Sequence, residues 1–437
     1  MRKVNIAAII LFAAMIGILS SCASGDKQQD ISDNTADADD KGVSLEIWTF
    51  LDYNVPGDYY ATIWEDLADE YGYDITLKTY SKQEIQDKLN IAVASKELPD
   101  IFTVYGGEYP DQLFEAQACI PVQSYVEGSD ALFKDTYLVP YKDGNNYIIP
   151  CFPEAYAVLY ENTDIMKEIG IKQPETWEDL QAAAKKIISY NKKHNTSYTP
   201  IQLAEKDAWI GELFYCAAVN ALDPYALDGI YDNTNSISDN TFKEAAKNIE
   251  KLVDMGAFGE NYMDIGEEEA LEKFISNEAV FLPHQSTIVY YLMDNMQDGT
   301  LDMMAYPTAN EEYKDDYYKY QLAVNYTLKP GLCISAYSSF QQEAAQISIE
   351  YAKRVNKISV EEYGYIDITR KNLISPAVLP DPVLSLKTML FNSKHEAPDL
   401  YALLQYTQGS TWLNITKKLY ATEYDADRFI DAADDIR

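Results

Sequence analysis

The stretch IIPCFPEAYAVLYENTDIMKEIGIKQPETWEDLQAAAKKI (148–187) decides the order of elements in the middle of this chain. Tyr147–Cys151 and Ala157–Tyr160 are strand-like runs, and apolar residues at helical spacing predict a helix over 177–190. Thr176 stands directly before that helix and belongs to the residue types favoured as N-caps. The stretch therefore predicts two strands followed by a capped helix with one apolar face.

Strand-like and helix-like segments also alternate on both sides of this stretch. Further strands are predicted at 43–50, 74–80, 100–105, 279–282 and 331–337, and further helices at 60–71, 81–96, 242–252, 341–355 and within 411–436. Such alternation is typical of an α/β fold with mostly parallel sheets. In open sheets of this kind, ligands bind beyond the carboxyl ends of the strands. The ends of the predicted strands are therefore the first places to expect a binding site.

The chain begins with the pattern of a secretory signal peptide. Arg2 and Lys3 precede an apolar run from Ile6 to Leu19, and small residues lead to Cys22. The run is shorter than the roughly 20 apolar residues of a membrane-spanning helix. Leu-Ser-Ser before a cysteine resembles a bacterial lipobox, which implies that 1–21 are removed and that Cys22 carries a lipid. The alternative is an ordinary signal peptide with a chance cysteine.

Residues 23–42 (ASGDKQQDISDNTADADDKG) follow that cysteine and contain one isoleucine and no aromatic residue. Such a stretch cannot bury enough apolar surface to offset the entropy lost on ordering. We therefore expect 22–42 to be a lipidated cysteine with a disordered tether. This arrangement places the rest of the chain on the extracellular face of the cytoplasmic membrane.

Bulk composition limits the remaining possibilities. Residues 43–437 exceed what one hydrophobic core usually supports, so two lobes are expected. A formal net charge of −35 disfavours nucleic acid, whose binding depends on neutralising phosphates. The remaining cysteines are widely spaced and are either buried thiols or the members of up to two disulfides; they are Cys119, Cys151, Cys216 and Cys333.

Motifs that carry catalysis are missing from the sequence. It has no GxSxG element and no GxxxxGK[ST] loop, and its three histidines lack zinc-ligand spacing. The 70 Asp and Glu residues supply carboxylate pairs everywhere, so pairs alone do not indicate a glycosidase. We therefore expect a protein without catalytic residues, metal or cofactor.

Several segments, taken in order, carry a resemblance to a known family. They are LNIAVASKELPDIF (89–102), FEAQACIPV (114–122), residues 148–187, DMGAFGENYM (254–263), EKFISNEAVFLPHQ (272–285) and KPGLCISAYSSFQQEAAQISIEYAKRVN (329–356). Their order resembles the extracellular solute-binding proteins of carbohydrate ABC transporters, the broad family that includes maltose-binding protein. One departure is Glu161, which is inserted between Tyr160 and Asn162.

The resemblance implies a two-lobed, periplasmic-binding-protein-like fold with the ligand in a cleft between the lobes. It implies one lobe at 43–152 and 331–375, and the other at 153–330 and 376–437. It further implies a monomeric receptor that delivers a sugar or oligosaccharide to the permease subunits of an ABC transporter. The same architecture binding a peptide or polyol, or a lipoprotein that adheres to polymeric glycan, are the alternatives.

Sugars present hydroxyl rims and apolar C–H faces, so their sites combine planar hydrogen-bonding groups with aromatic rings. The chain has 36 Tyr and 5 Trp to supply such rings. Strand ends and the resemblance together point to these ligand contacts: Phe50, Asp52, Tyr105, Gly106, Gly107, Glu154, Asp207, Trp209, His284, Gln285 and Trp412. An Asp-Arg pair that maltose binders carry after the third strand is replaced here by Gly107-Glu108, which leaves the identity of the sugar open.

Overall fold

A computed structural model describes residues 42–50, 59–80, 82–105, 110–206, 208–231, 234–297, 299–324, 329–404 and 406–436. The strands in chain order are β1 (Ser44–Phe50), β2 (Asp74–Tyr80), β3 (Ile101–Val104), β4 (Ile149–Pro150), β5 (Ala157–Asn162), β6 (Thr199–Ile201), β7 (Ala279–Gln285), β8 (Leu301–Met304), β9 (Tyr320–Ala323), β10 (Gly331–Ile334) and β11 (His395–Pro398).

Helices separate most of these strands, as the alternating sequence pattern predicts. They are α1 (Tyr59–Tyr71), α2 (Lys82–Ser95), α3 (Asp111–Glu115), α4 (Gln123–Glu127), α5 (Thr163–Ile169), α6 (Trp177–His194), α7 (Trp209–Leu222), α8 (Ala226–Tyr231), α9 (Asn240–Asp254), α10 (Glu267–Ile275), α11 (Val289–Asn295), α12 (Gln341–Glu361), α13 (Asp381–Phe391), α14 (Leu400–Leu403), α15 (Tyr406–Tyr420) and α16 (Ala426–Asp434). Among the described residues, none of these helices combines the length and apolarity needed to cross a membrane.

The first sheet has the order β2-β1-β3-β10-β4 and takes strands from distant parts of the chain. Strand β1 runs parallel to β2 and β3, whereas β10 runs antiparallel to β3 and β4. Helices α1 and α12 cover this sheet, and Trp64 stacks on Tyr351 with ring centroids 4.0 Å apart. Both rings are only 2% exposed, so they anchor the core of this lobe.

The second sheet has the order β6-β7-β5-β8 and lies in a separate core. Strands β6 and β7 are parallel, and β5 is antiparallel to β7 and β8. Trp177 of α6 is 1% exposed and packs against Phe214 of α7 in this core. The cap predicted for α6 is confirmed: Thr176 Oγ1 accepts from Asp179 N, and the Asp179 carboxylate accepts from Thr176 N, both at 3.1 Å.

The expectation of mostly parallel sheets is wrong, because antiparallel ladders are as frequent as parallel ones among the described strands. The reason lies in how the chain passes between the sheets. Strands β1 and β3 end at the edge where the chain crosses to the second sheet, and β10 starts at that edge opposite Val104. Strand β5 likewise starts opposite Gln285, the last residue of β7. A strand that enters from the crossing must run against its neighbours.

The chain crosses between the sheets after β4 and again after β9, and these crossings lie side by side. Tyr156 forms an isolated antiparallel bridge with Ala323, and Val324 N donates to Ala155 O at 2.9 Å. Ser286 at the end of the second sheet binds the same crossing, since Tyr156 N donates to Ser286 Oγ at 3.1 Å. The fold is therefore a two-lobed α/β arrangement in which these two crossings run side by side.

The cysteines that lie in the described residues are buried free thiols. Cys119, Cys151 and Cys333 belong to the core of the first lobe, and Cys216 belongs to the core of the second. Burial raises the pKa of the Cys216 and Cys333 thiols well above the usual value. The structure therefore shows buried thiols rather than disulfides at these four positions.

The inserted residue Glu161 lies within β5 and is 2% exposed. Its carboxylate accepts a hydrogen bond from Gln173 Nε2 at 2.9 Å. Burial raises the pKa of Glu161 to about 7, although the bond from Gln173 opposes that shift. This carboxyl group is therefore partly protonated at neutral pH.

Candidate functional site

The edges at which the crossings enter the sheets bring the ends of several strands together. In the first sheet, β1 and β3 end at this edge with Phe50 and Val104. In the second sheet, β7 ends with Gln285 at the corresponding edge. These edges lie on either side of the crossings, which is the position that the strand-end rule for α/β sheets assigns to ligands.

Aromatic rings line the edge of the first sheet. Phe50 stacks on Tyr105 with centroids 4.6 Å apart and on Phe152 with centroids 5.3 Å apart. Tyr60 meets Phe152 edge-on at 5.9 Å. Phe50 is itself only 6% exposed, while Tyr105 stays half-buried. Tyr105 is therefore the ring of this stack that a ligand reaches more easily.

Gly331 explains how the first sheet closes tightly at this edge. A Cβ atom at this position would lie 2.2 Å from the backbone oxygen of Ile149, which is closer than any side chain allows. The glycine lets β10 and β4 pair directly beside the crossings. The close approach of β10 and β4 at this edge therefore requires glycine at position 331.

The edge of the second sheet carries Trp209 and His284. Trp209 begins α7 after Ala208, whose φ of +67° turns the chain in the left-handed region. The indole lies edge-on to the His284 ring with centroids 5.2 Å apart. His284 is 2% exposed, and its Nε2 lies 3.4 Å from Glu267 Oε1. Apart from this contact with Glu267, neither ring nitrogen of this described histidine has a hydrogen-bond partner, which is uncommon for a buried polar group.

Polar side chains converge where the crossings run together, and we call this set the hinge cluster. It consists of Tyr137, Glu154, Tyr156, Lys329 and Glu396. Glu154 Oε1 is 2.8 Å from Lys329 Nζ, and Glu154 Oε2 accepts from Tyr137 Oη at 2.7 Å. Tyr156 Oη donates to Glu396 Oε1 at 3.2 Å. The side chains of Lys329 and Glu154 are 12% and 13% exposed, so this ion pair is largely shielded from water.

The two carboxyl groups of the hinge cluster behave differently. Burial works against ionisation of Glu154, but the Lys329 ammonium and the hydrogen bonds hold the pKa of Glu154 below its usual value. Burial raises the pKa of Glu396, and the nearby charge of Glu154 adds to that rise. Burial also raises the pKa of the Tyr137 and Tyr156 phenols. Glu154 is therefore a carboxylate stabilised by its ion pair. Burial and the nearby charge of Glu154, in contrast, disfavour the ionised form of Glu396.

Trp412 lies away from the crossings. It is completely buried, its Nε1 donates to Glu212 Oε1 at 2.9 Å, and it packs against Tyr215 and Phe429. It lies within α15, which begins at Tyr406. Trp412 is therefore a core residue and is not among the proposed ligand contacts.

The structure thus brings Phe50, Tyr105, Glu154, Trp209, His284 and Gln285 to the edges beside the crossings. Asp52, Gly106, Gly107, Asp207 and Cys22 lie outside the described residues.

Sequence reasoning missed Tyr137, Lys329 and Glu396. Lys329 is 175 residues from Glu154. The one sequence signal for Lys329 was its place just before β10, the strand that enters from the crossing.

The model of the bacterial extracellular solute-binding protein family matches residues 55–329. The multiple sugar-binding protein of Streptococcus mutans is 26% identical over an alignment of 238 residues that covers 49% of this chain. The chain thus spans 54% of the length of that curated relative.

Solved structures share the fold. A protein from Caldanaerobius polysaccharolyticus, described in work on xylan utilization, superposes with a TM-score of 0.77 at 20% identity, covering 90% of this chain and all of that one. A sugar transporter protein from Bacillus licheniformis, solved with stachyose, has a TM-score of 0.64 at 16% identity and covers 90% and 98% of the two chains. With the family model matching well over half of its length, the chain belongs to the bacterial extracellular solute-binding proteins.

Proposed function

We propose that this chain is an extracellular receptor that binds a sugar or oligosaccharide between its lobes and delivers it to an ABC-transporter permease. The observation that carries the proposal is the joint placement of an aromatic stack and the hinge cluster at the paired crossings. Rings such as Tyr105 offer faces to sugar C–H groups, and carboxylates such as Glu154 accept hydrogen bonds from hydroxyls. The S. mutans relative is named for sugar binding, and the B. licheniformis structure holds stachyose, which supports the same ligand class.

The proposed contacts are Tyr105, Glu154, Trp209, His284 and Gln285, with Phe50 supporting Tyr105 from behind. His284 supports this choice because its buried imidazole has no hydrogen bond beyond the 3.4 Å contact of Nε2 with Glu267, and a buried polar group without hydrogen bonds is costly. A ligand hydroxyl would satisfy one of its nitrogens. Asp52, Gly106, Gly107 and Asp207 remain predictions from the sequence.

We further propose lobe boundaries at 43–152 with 331–375, and at 153–330 with 376–437. The cores around the first sheet and on one face of the second support this division, because the first holds Ile47 and Ile368 whereas the second holds Leu159 and Trp412. A third core, on the other face of the second sheet, joins Val158 to Tyr365 of the first proposed lobe. Closure of the lobes about the crossings would be a hinge motion. The hinge cluster joins side chains from both proposed lobes, so closure would move its side chains relative to one another.

The proposal includes a lipid on Cys22 and a tether over 23–42 that holds a monomeric receptor at the membrane surface. Twenty tether residues reach at most about 66 Å at ~3.3 Å each. Incorporation of a radiolabelled fatty acid into the expressed chain, with Cys22→Ser as the control, tests the anchor. Label in both proteins, or in neither, contradicts lipidation at this cysteine.

Thermal unfolding against neutral oligosaccharides, with peptides and polyols as controls, tests ligand binding. A ligand that binds only the folded state at 100 times its dissociation constant stabilises the protein by about 2.7 kcal/mol. Stabilisation by one class of sugar, weakened in Trp209→Ala, supports the proposal. Stabilisation by peptides or polyols alone would show a receptor for another solute. A protein that binds insoluble glycan but no soluble oligosaccharide would be an adhesion lipoprotein.

A further inference from the structure

We propose that the cleft selects neutral glycans over glycans that carry a uronate, and that Glu396 of the hinge cluster sets this selection. The inference rests on the proposed function and deepens it by naming the ligand class. Glu396 lies on β11, which pairs with β9 directly before the second crossing. No pattern in the sequence marks this residue.

The hinge cluster contains more negative than positive charge. Lys329 Nζ lies 2.8 Å from Glu154 Oε1, so its ammonium is already matched by that carboxylate. Glu396 receives the Tyr156 hydroxyl at 3.2 Å, which is a neutral donor. Once the Lys329–Glu154 pair is set aside, ionisation of Glu396 leaves the hinge cluster with a net negative charge.

The surroundings of Glu396 do not reverse this balance. Lys329 and His395 are the basic side chains that act on its carboxyl group. His395 Nε2 lies 2.6 Å from Asp228 Oδ2, so it too faces a carboxylate. Among the described groups, the two basic side chains that act on Glu396 therefore each already face another carboxylate.

A bound ligand excludes water from the cleft, and like charges repel far more strongly there than in bulk water. A uronate carboxylate beside Glu396 would meet this repulsion, and the Lys329 ammonium that acts on Glu396 is already paired with Glu154. A sugar hydroxyl would instead donate to Glu396, because a carboxylate can accept about four hydrogen bonds. The cluster therefore favours hydroxyl groups and penalises carboxylates in the same place.

The test compares dissociation constants of the full chain for matched pairs of ligands by calorimetry. Each pair is a neutral trisaccharide (cellotriose, maltotriose or galactotriose) and its counterpart with one C6 oxidised to a uronate. The wild type should bind the best neutral member at least about tenfold more tightly than its uronate counterpart, a factor equal to roughly 1.4 kcal/mol. Glu396→Gln, whose amide oxygen still accepts from Tyr156, should reduce that ratio to about threefold or less.

Glu178→Gln is the matched control, because it removes the same charge from an exposed position in the first turn of α6. It should leave the ratio at the wild-type value. The inference is overturned if the wild type binds a uronate as tightly as its neutral counterpart, or if both variants change the ratio equally. If Glu396→Gln fails to fold, the wild-type ratio alone decides whether the cleft selects neutral glycans over uronates. Binding of no glycan at all would overturn the proposed function itself, an outcome distinct from loss of selectivity.

Discussion

Replacing Lys329 by methionine would leave Glu154 as a buried carboxylate without its ammonium partner. The two side chains are only 12% and 13% exposed, so water screens the pair poorly. Removing one member of a buried pair costs about 3–5 kcal/mol in general. The Tyr137 hydroxyl still donates to Glu154 in the variant, so we expect a loss near the lower end, about 3 kcal/mol.

This loss should depend on pH in a direction that follows from the pKa of Glu154. In the wild type the pKa of Glu154 is lowered in the folded state, so its stabilisation is present above the unfolded value near 4.5 and is lost as pH falls through the folded pKa. In Lys329→Met, burial dominates and should raise that pKa, so protonation should relieve the buried charge. The difference in stability between the two proteins should therefore shrink as pH falls from 7 towards 4.

The assay is the free energy of unfolding in urea at pH 7, 5.5 and 4. Lys167→Met is the control, since Lys167 pairs with Asp164 on the surface at 72% and 56% exposure and should cost less than about 1 kcal/mol. Adding Glu154→Gln to Lys329→Met should recover most of the lost stability. The reasoning is refuted if Lys329→Met costs no more than the surface control, or if its cost is the same at every pH.

Three further predictions concern single side chains. Trp209→Ala should weaken sugar binding by about tenfold, because a stacking ring contributes about 0.5–1.5 kcal/mol beyond its buried area, and calorimetry would measure it. Trp412→Phe should cost about 1–3 kcal/mol of stability in urea, because it removes a hydrogen bond from the buried Glu212 carboxylate; a selective loss of ligand affinity would contradict its place in the core. Glu161→Gln should stabilise the protein at pH 8 and not at pH 4. Burial raises the pKa of Glu161 in the folded protein from 4.5 to about 7. The wild type therefore loses stability, on the order of 3 kcal/mol, as pH rises through that window, and the variant does not. A pH-independent effect in urea would show that burial of Glu161 does not set its pKa.

Local elements were predictable because they depend on short-range patterns. The cap at Thr176 and the apolar face of α6 follow from residues within a few positions of one another, and both are present. The direction of β10 and β5 was not predictable from their own sequences. It depends on the edge at which each strand enters its sheet, which is a property of the whole chain path.

The candidate site shows the same division. Tyr105 and Gln285 were placed at a binding edge because the ends of strands indicate one in α/β sheets. Trp412 was predicted as a ligand contact but lies in a core, because it packs against Tyr215 and Phe429 from other helices. A tryptophan in sequence does not reveal whether its ring faces a cleft or a core.

The sequence by itself determined the alternation of strands and helices, the charge of −35, the leader pattern that ends at Cys22, and the family resemblance. Tertiary structure alone decided which charges meet. Glu154 and Lys329 are 175 residues apart, and Tyr156 and Glu396 are 240 residues apart, yet the crossings bring each pair within hydrogen-bonding distance. Electrostatic interactions fall steeply with distance and strengthen away from water, so they are set by the folded path rather than by local sequence.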